Sequence, residues 1–170
     1  LNRMTNANAS QYSYQYKDSV PIYNKEQCVM LAPGDLCNID LKQHFDSGKH
    51  NIGTVFNLDD HDEPGSHWVA LYSDFNKGEV YYYDSYGIFP PEEVKILMER
   101  MSIQGIKIKG EPFKLYYNDI RHQYKNSECG VYSMHFITEF LNGKTFKEII
   151  QNRISDDNMN QKRKIFYNTI

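Results

Sequence analysis

Three short segments rich in strand-forming residues follow one another in the middle of the chain. They cover residues 53–59, 67–73 and 79–84. Pro64-Gly65 and Asn76-Lys-Gly78 interrupt the pattern between them, and such residues are typical of turns. Because short turns join strands that run in opposite directions, the sequence predicts an antiparallel meander.

Helical patterns follow this strand region. Two prolines and two glutamates at 90–93 are typical of a helix start, because proline fits the first turn and acidic side chains favour the positive end of the helix dipole. A fourth strand is predicted over 113–118, and a capping box formed by Thr145 and Glu148 predicts a helix over 146–152. Apolar residues at helical spacing predict the buried face of the first helix: Val94, Leu97, Met98 and Met101.

Two further helices complete the prediction, one over 129–141 that ends at Gly143 and a basic one over 156–166. Strands, a helix, a strand and then helices indicate an α+β fold with a mostly antiparallel central sheet packed by helices. A length of 170 residues suits one domain. We expect that domain over 19–170, preceded by an extended N-terminal arm over 1–18.

Composition narrows the classes of function. Hydrophobic residues make up 40% of the chain and charged residues 24%, as in ordinary globular proteins. A net charge of −3 has the wrong sign for a protein that mainly binds phosphate backbones. Lys162, Arg163 and Lys164 form a small basic cluster, for which a solvated helix face is the simpler interpretation. No apolar run is long enough to predict a membrane span.

The three cysteines are an odd number, which is untypical of a secreted disulfide scaffold. We therefore expect a reducing, intracellular location, with a Cys28–Cys37 disulfide as the lesser alternative. Cys129 begins a predicted helix, where the helix dipole and unpaired N–H groups favour a thiolate. Gly130 leaves room for an approaching carbonyl, and the polar loop before Cys129 predicts a sulfur that solvent can reach. Cys129 is the candidate nucleophile, with a buried structural thiol as the alternative.

A thiolate nucleophile needs a base and a group that orients the base. His67 opens one predicted strand and Asp84 closes the next, so antiparallel pairing brings them to one end of the sheet. We predict that Asp84 accepts the Nδ1–H of His67 and directs the other ring nitrogen to the sulfur. Gln123 lies six residues before Cys129 and is the candidate side-chain donor to an oxyanion. Ordinary sheet, turn and surface roles are the alternatives for His67, Asp84 and Gln123.

A cluster of acidic residues and histidines suggests a metal enzyme as a competing class. These residues lack the spacing of known zinc motifs, and clusters of this kind are usually surface turns. We therefore expect neither a metal nor another cofactor. The cluster consists of Asp59, Asp60, His61, Asp62 and His67.

Three stretches together resemble the ordered signature of the adenovirus-proteinase and SUMO-protease clan of cysteine peptidases. They are His67-Trp68, Asp84-Ser85 and Gln123-Tyr-Lys-Asn-Ser-Glu-Cys129-Gly130. The resemblance implies a papain-like, adenain-like fold in which these residues act as base (His67), orienter (Asp84), oxyanion donor (Gln123) and nucleophile (Cys129). Trp68 and Gly130 are then expected to contact the substrate.

The stretch before His67 resembles the viral members of the clan, which include the capsid-maturation proteases of adenoviruses, virophages and large DNA viruses. Asn57, Pro64 and Gly65 carry this resemblance. It implies an endopeptidase that cleaves capsid or polyprotein precursors after small, Gly-rich residues during virion maturation. The expected location is the host cytoplasm or virus factory and the virion. The resemblance also suggests a peptide as an activator. The net charge argues against strong nucleic-acid binding.

Two alternatives remain open within the same fold. An isopeptidase that removes SUMO or ubiquitin-like modifiers would use identical chemistry on a folded substrate. That branch carries an upstream tryptophan above a Gly-Gly tunnel, whereas Trp68 is the only tryptophan here. A binding module that keeps the fold without catalysis is the third interpretation.

Overall fold

A central sheet organises the fold. The computed structural model describes residues 2–6, 11–14, 39–58 and 67–166. Within these residues the sheet has six strands, in the spatial order β2-β1-β6-β5-β4-β3. In chain order they are β1 (Asn2–Asn6), β2 (Gln11–Tyr14), β3 (Asn51–Asn57), β4 (Trp68–Asp74), β5 (Glu79–Tyr83) and β6 (Lys114–Tyr117).

The strand directions confirm the predicted meander and the mostly antiparallel sheet. β3, β4 and β5 pair antiparallel in sequence order, and β1 pairs antiparallel with β2. β6 instead lies parallel both to β5 and to β1. A parallel pair needs a crossover connection, and here the helices Glu92–Gln104 and Ile106–Lys109 lie between β5 and β6 in the chain.

The helices, in chain order, are α1 (Leu41–Asp46), α2 (Glu92–Gln104), α3 (Ile106–Lys109), α4 (Cys129–Leu141), α5 (Phe146–Gln151), α6 (Asp156–Gln161) and α7 (Arg163–Phe166). Pro91 is the N-cap of α2, and the Thr145–Glu148 capping box begins α5, as predicted. The predicted final helix over 156–166 is instead two helices, with Lys162 as the C-cap of the first. In the described part of the chain, no helix has the length and apolar character needed to cross a bilayer.

β4 and β5 are buried on both faces of the sheet, and most of their residues are apolar. On one face Leu71 and Tyr82 pack with the apolar side of α2. On the other face Tyr72 and Tyr83 pack with α4 and α5. This arrangement fixes the start of α4 against the sheet. The predicted buried residues of α2 are all in the core: Val94, Leu97, Met98 and Met101.

Some predictions fall partly or wholly outside the described residues. Within the predicted arm over 1–18, β1 and β2 belong to the sheet, whereas the proposed boundary between residues 18 and 19 is not described. Cys28, Cys37 and the acidic turn at 59–66 are not described either. The division into an arm and a single protease domain stays a prediction.

Candidate active site

The pairing of β4 with β5 brings His67 and Asp84 to the same end of the sheet. The register pairs Ala70 with Tyr83. His67, just before β4, and Asp84, just after β5, therefore lie at the same end of this strand pair. Continuing this register places Tyr86 opposite His67. The two rings indeed stack, with centroids 4.9 Å apart and planes 25° apart. The hairpin therefore positions the candidate base by both pairing and stacking.

The His67–Asp84 contact is present, but through the other ring nitrogen. Nε2 of His67 lies 2.9 Å from Oδ2 of Asp84. The prediction that Asp84 accepts Nδ1–H is therefore wrong. The ring that stacks on Tyr86 presents Nε2 to the carboxylate. Nδ1 is buried without a hydrogen-bond partner among the described residues, so it is the ring nitrogen available to Cys129.

Cys129 is the first residue of α4, as predicted. The helix is held against β4 by the Ser133 hydroxyl, which donates to the carbonyl oxygen of Trp68 at 3.1 Å. The N-cap residue, Glu128, makes no side-chain capping bond to the first N–H groups of α4. Cys129 is 7% exposed, so the sulfur is more enclosed than the polar loop before it predicts.

Electrostatics favour a thiolate–imidazolium pair. Burial acts to raise the pKa of Cys129, but the interaction with the His67 side chain and hydrogen bonds from the N–H groups of Trp68 and Gly130 hold that pKa below its ordinary value. Burial likewise acts to lower the pKa of His67, but Asp84 and Cys129 outweigh it and raise this pKa to about 9. The protonated ring and the ionised sulfur stabilise each other.

Gln123 is fully buried, and its carboxamide is bound on both sides. Its Oε1 accepts the Ser85 hydroxyl at 2.6 Å, and its Nε2 donates to the carbonyl oxygen of Lys125 at 2.8 Å. The backbone N–H of Gln123 donates to the carbonyl oxygen of Ser85 at 2.8 Å. Gln123 is thereby tied to the residue that follows Asp84.

Three residues at the site carry contacts that the sequence reasoning did not assign. Tyr86 covers the His67 ring and donates its backbone N–H to Oδ1 of Asp84 at 2.7 Å. Asn118 pairs with the Asp84 backbone, accepting its N–H and donating to its carbonyl oxygen, each at 2.8 Å. Ser85 orients Gln123. The place of Tyr86 opposite His67 follows from the strand register, and Ser85 belongs to the Asp84-Ser85 stretch of the family resemblance, whereas Asn118 had no sequence signal.

The remaining site predictions concern substrate and metal. The Trp68 side chain is 40% exposed beside His67, and Gly130 is partly exposed in the first turn of α4. Their contacts with substrate stay a prediction. Among the residues that the structure describes, no group of three or more His, Cys, Asp or Glu side chains is arranged to hold a metal ion.

Comparison with protein families supplies an independent assignment. Residues 49–170, which include all four candidate catalytic residues, match the Ulp1 protease family, C-terminal catalytic domain. The chain belongs to this family. The resemblance to the adenovirus-proteinase and SUMO-protease clan is thereby confirmed.

Viral proteins are among the relatives of this Ulp1-family chain. A protein of Acanthamoeba polyphaga mimivirus, named as a thiol protease, is 35% identical over 140 residues, which are 82% of this chain and 46% of that protein. A cysteine protease of African swine fever virus is 37% identical over 113 residues, covering 65% of this chain and 41% of that protein. The chain thus spans less than half the length of these two relatives.

The fold is also that of a solved protease. A crystal structure of the African swine fever virus protease matches with a TM-score of 0.68 and 25% identity, over 82% of this chain and 56% of that one. A second structure of the same protease matches with a TM-score of 0.66 and 27% identity, over 78% of this chain and 54% of that one. The predicted α+β cysteine-protease fold is confirmed.

Proposed function

We propose that this chain is the catalytic domain of a cysteine endopeptidase that cleaves capsid or polyprotein precursors after small, Gly-rich residues during virion maturation. In this proposal Cys129 is the nucleophile, His67 the base, Asp84 the orienter and Gln123 the side-chain donor to the oxyanion. Membership of the Ulp1 family and similarity to viral proteases support it. The proposed place of action is the host cytoplasm or virus factory and the virion.

One observation carries the proposal: Asp84 holds His67 at 2.9 Å, and the His67 ring interacts electrostatically with Cys129, the first residue of α4. A structural cysteine needs no such partner. The pKa of Cys129 is lowered although burial acts to raise it, which is the property required of a nucleophilic thiol. An activated thiol with an oriented base is the arrangement of nucleophilic catalysis.

In the first half of the reaction, the Cys129 thiolate attacks the carbonyl carbon of the scissile bond. A C–S bond forms, and the carbonyl π electrons move to the oxygen. The backbone N–H of Cys129 and Nε2–H of Gln123 donate to this oxyanion. His67 then gives its Nδ1 proton to the amide nitrogen, the C–N bond breaks and the amine leaves, so the enzyme is left as a thioester.

In the second half, neutral His67 accepts a proton from water at Nδ1 as the water oxygen attacks the thioester carbonyl. The new tetrahedral oxyanion is stabilised by the same donors. It collapses with cleavage of the C–S bond, which returns the thiolate–imidazolium pair and releases the product acid. Asp84 keeps its contact with Nε2–H throughout, so the same nitrogen, Nδ1, handles both proton transfers.

A deconjugating isopeptidase is the second candidate, since the family is named after Ulp1 and some African swine fever virus relatives are named SUMO-1 cysteine proteases. Such an enzyme would recognise a folded modifier as well as its Gly-Gly tail. Among these 170 residues, no tryptophan lies upstream of Trp68 to enclose such a tail. We therefore favour unfolded or extended precursor segments as the substrate.

The test is mass spectrometry of candidate capsid precursors after incubation with wild-type protein and with Cys129→Ala. The proposal predicts cleavage after small residues by wild type alone. Gly-Gly-ended ubiquitin-like fusions serve in parallel as folded substrates. Faster cleavage of these fusions than of short Gly-X peptides would favour the isopeptidase, and equal cleavage by Cys129→Ala would refute a role for Cys129.

A further inference from the structure

We propose that Ser85 and Asp156 are positioning residues that aim the Gln123 carboxamide at the oxyanion. Neither residue was assigned a catalytic or binding role by the sequence, and Asp156 lies far along the chain on α6. The inference rests on the proposed function, because an oxyanion donor matters only to acyl transfer.

The orientation of the carboxamide follows from its neighbours. The carbonyl oxygen of Lys125, 2.8 Å away, can only accept, so the atom of Gln123 that faces it is the NH₂ nitrogen. The oxygen of the carboxamide then faces Ser85, whose hydroxyl donates to it at 2.6 Å. An NH₂ group has two hydrogens. One is bound to Lys125, and the other is left to donate to an oxyanion.

Ser85 is suited to this task because its backbone and its side chain act together. It is fully buried and directly follows Asp84. Its carbonyl oxygen accepts the N–H groups of His122 and Gln123, each at 2.8 Å, while its hydroxyl binds the Gln123 side chain. The hydroxyl is the only part of this set that a Ser85→Ala change removes. Without it, the carboxamide loses the contact that distinguishes its oxygen end from its nitrogen end.

Asp156 fixes the other side of the carboxamide. This carboxylate is buried at the start of α6, where its Oδ2 accepts the backbone N–H groups of Tyr124 and Lys125, each at 2.9 Å. Its Oδ1 accepts the Tyr132 hydroxyl at 2.7 Å, which fastens it to α4. Since Lys125 also supplies the carbonyl that binds Nε2 of Gln123, Asp156 sets the position of that acceptor.

The two contacts have a defined catalytic consequence. An oxyanion donor is effective when it is already in place, so that no reorganisation is needed as charge develops. Ser85 and Asp156 supply this preorganisation from opposite sides of one side chain. They do not touch Cys129 or His67 through any hydrogen bond described here, so the thiolate–imidazolium pair should form without them.

The experiment compares Ser85→Ala with Ser73→Ala. Ser73 is also fully buried in the sheet and also donates its hydroxyl to a backbone carbonyl, that of Glu79 at 3.1 Å, but it is not near Gln123. With a Gly-X peptide substrate, Ser85→Ala should lower kcat by about tenfold or more, up to the 10²–10³-fold loss expected for removal of an oxyanion donor, with KM unchanged. The affinity for a peptide aldehyde should fall in proportion. The rate at which iodoacetamide alkylates Cys129 should match wild type, and Ser73→Ala should behave as wild type in all three.

Asp156 is tested by the pair Asp156→Ala and Asp156→Asn. The alanine variant should lose kcat as Ser85→Ala does, while the asparagine variant keeps an oxygen acceptor for the two N–H groups and should recover part of the loss. A readout that does not depend on cleavage is the NMR signal pair of the Gln123 carboxamide. In wild type one of its two N–H signals should exchange slowly with solvent, and in Ser85→Ala and Asp156→Ala this protection should be lost.

The outcomes separate the two proposals. If wild type cleaves no peptide or precursor but the carboxamide signals change as described, the proposed function fails and the positioning stands. Unchanged kcat and unchanged carboxamide signals in Ser85→Ala would overturn the positioning role while leaving the peptidase intact. A parallel loss of kcat and of Cys129 alkylation would also overturn it, because the change would then have disrupted the whole site.

Discussion

Asp84 holds His67 by Nε2 at 2.9 Å, and its second carboxylate oxygen accepts the backbone N–H of Tyr86 at 2.7 Å. The carboxylate is thus fixed by the turn after β5 before it meets the ring. Tyr86 in turn stacks on the same ring. One short turn therefore supplies both the charge that keeps His67 protonated and the surface against which the ring lies.

Removal of the Asp84 charge should shift the alkaline limit of the reaction. Asp84→Asn keeps an oxygen for the Tyr86 N–H but loses the negative charge that helps to raise the pKa of His67 to about 9. Burial, which acts to lower this pKa, then has less opposition. Because the imidazolium is lost as pH rises through the His67 pKa, the alkaline limb of kcat/KM should move to lower pH.

The pH dependence of kcat/KM for wild type and Asp84→Asn checks this prediction. The two profiles belong to the coupled Cys129–His67 pair, so the position of each limb is compared and not assigned to one residue. Turnover by Asp84→Asn should also fall less than that of Cys129→Ala or His67→Ala, because Asp84 orients and does not react. An alkaline limb at the wild-type position would show that Asp84 does not control the charge of His67.

Asn118 should be needed for both stability and activity. Its buried carboxamide pairs with the N–H and the carbonyl of Asp84, which lie beyond the last residues of the β5–β6 ladder. Asn118→Ala would leave the buried N–H of Asp84 unpaired, at a cost of about 1–3 kcal/mol, while the Asp84 carbonyl oxygen would keep the Gly87 N–H at 2.9 Å. We expect a lower free energy of unfolding in urea and a reduced kcat. Asn142→Ala, at an exposed residue just after α4, is the control and should stay within about 0.5 kcal/mol of wild type.

Gly87 and Gly143 form a matched pair that separates backbone strain from damage to the site. Both have positive φ, 72° and 84°, where an alanine costs about 1–2 kcal/mol. A Cβ at Gly143 meets nothing within 4 Å, whereas one at Gly87 lies 2.9 Å from the carbonyl carbon of Ile120 and 3.0 Å from the backbone nitrogen of Arg121. Those atoms belong to the loop that leads to Gln123.

Both Gly→Ala variants should therefore lose stability, but only Gly87→Ala should lose activity per folded molecule. Thermal unfolding and active-site titration of the same preparations measure the two quantities. Equal specific activity of Gly87→Ala and Gly143→Ala would show that the 119–121 loop can shift without disturbing the site.

Much of the fold was accessible from the sequence because its signals are local. The strand-forming residues of β4 and β5, the Pro-Glu start of α2 and the capping box of α5 each give a signal within a few neighbouring residues. The parallel direction of β6 and its pairing with β1 were not predicted, since both depend on contacts between segments far apart in the chain.

The candidate site divides in the same way. Strand register predicted that His67 and Asp84 would meet, and helix polarity placed Cys129 at the start of α4. The prediction that Nδ1 of His67 faces Asp84 was wrong, since Nε2 does. Which nitrogen faces the carboxylate depends on a ring rotation that the backbone pattern does not encode. The contacts of Ser85 and Asn118 were missed for a related reason: polar side chains in loops give no periodic signal.

The most direct test of the central claim is the pH dependence of Cys129 alkylation, followed by mass spectrometry in wild type and in His67→Ala. We expect wild-type Cys129 to react as a thiolate well below the ordinary pKa of a cysteine thiol, and His67→Ala to shift this reactivity to higher pH. Identical curves for the two proteins, each rising only at the pKa of an ordinary thiol, would contradict the thiolate–imidazolium pair and with it the proposed mechanism.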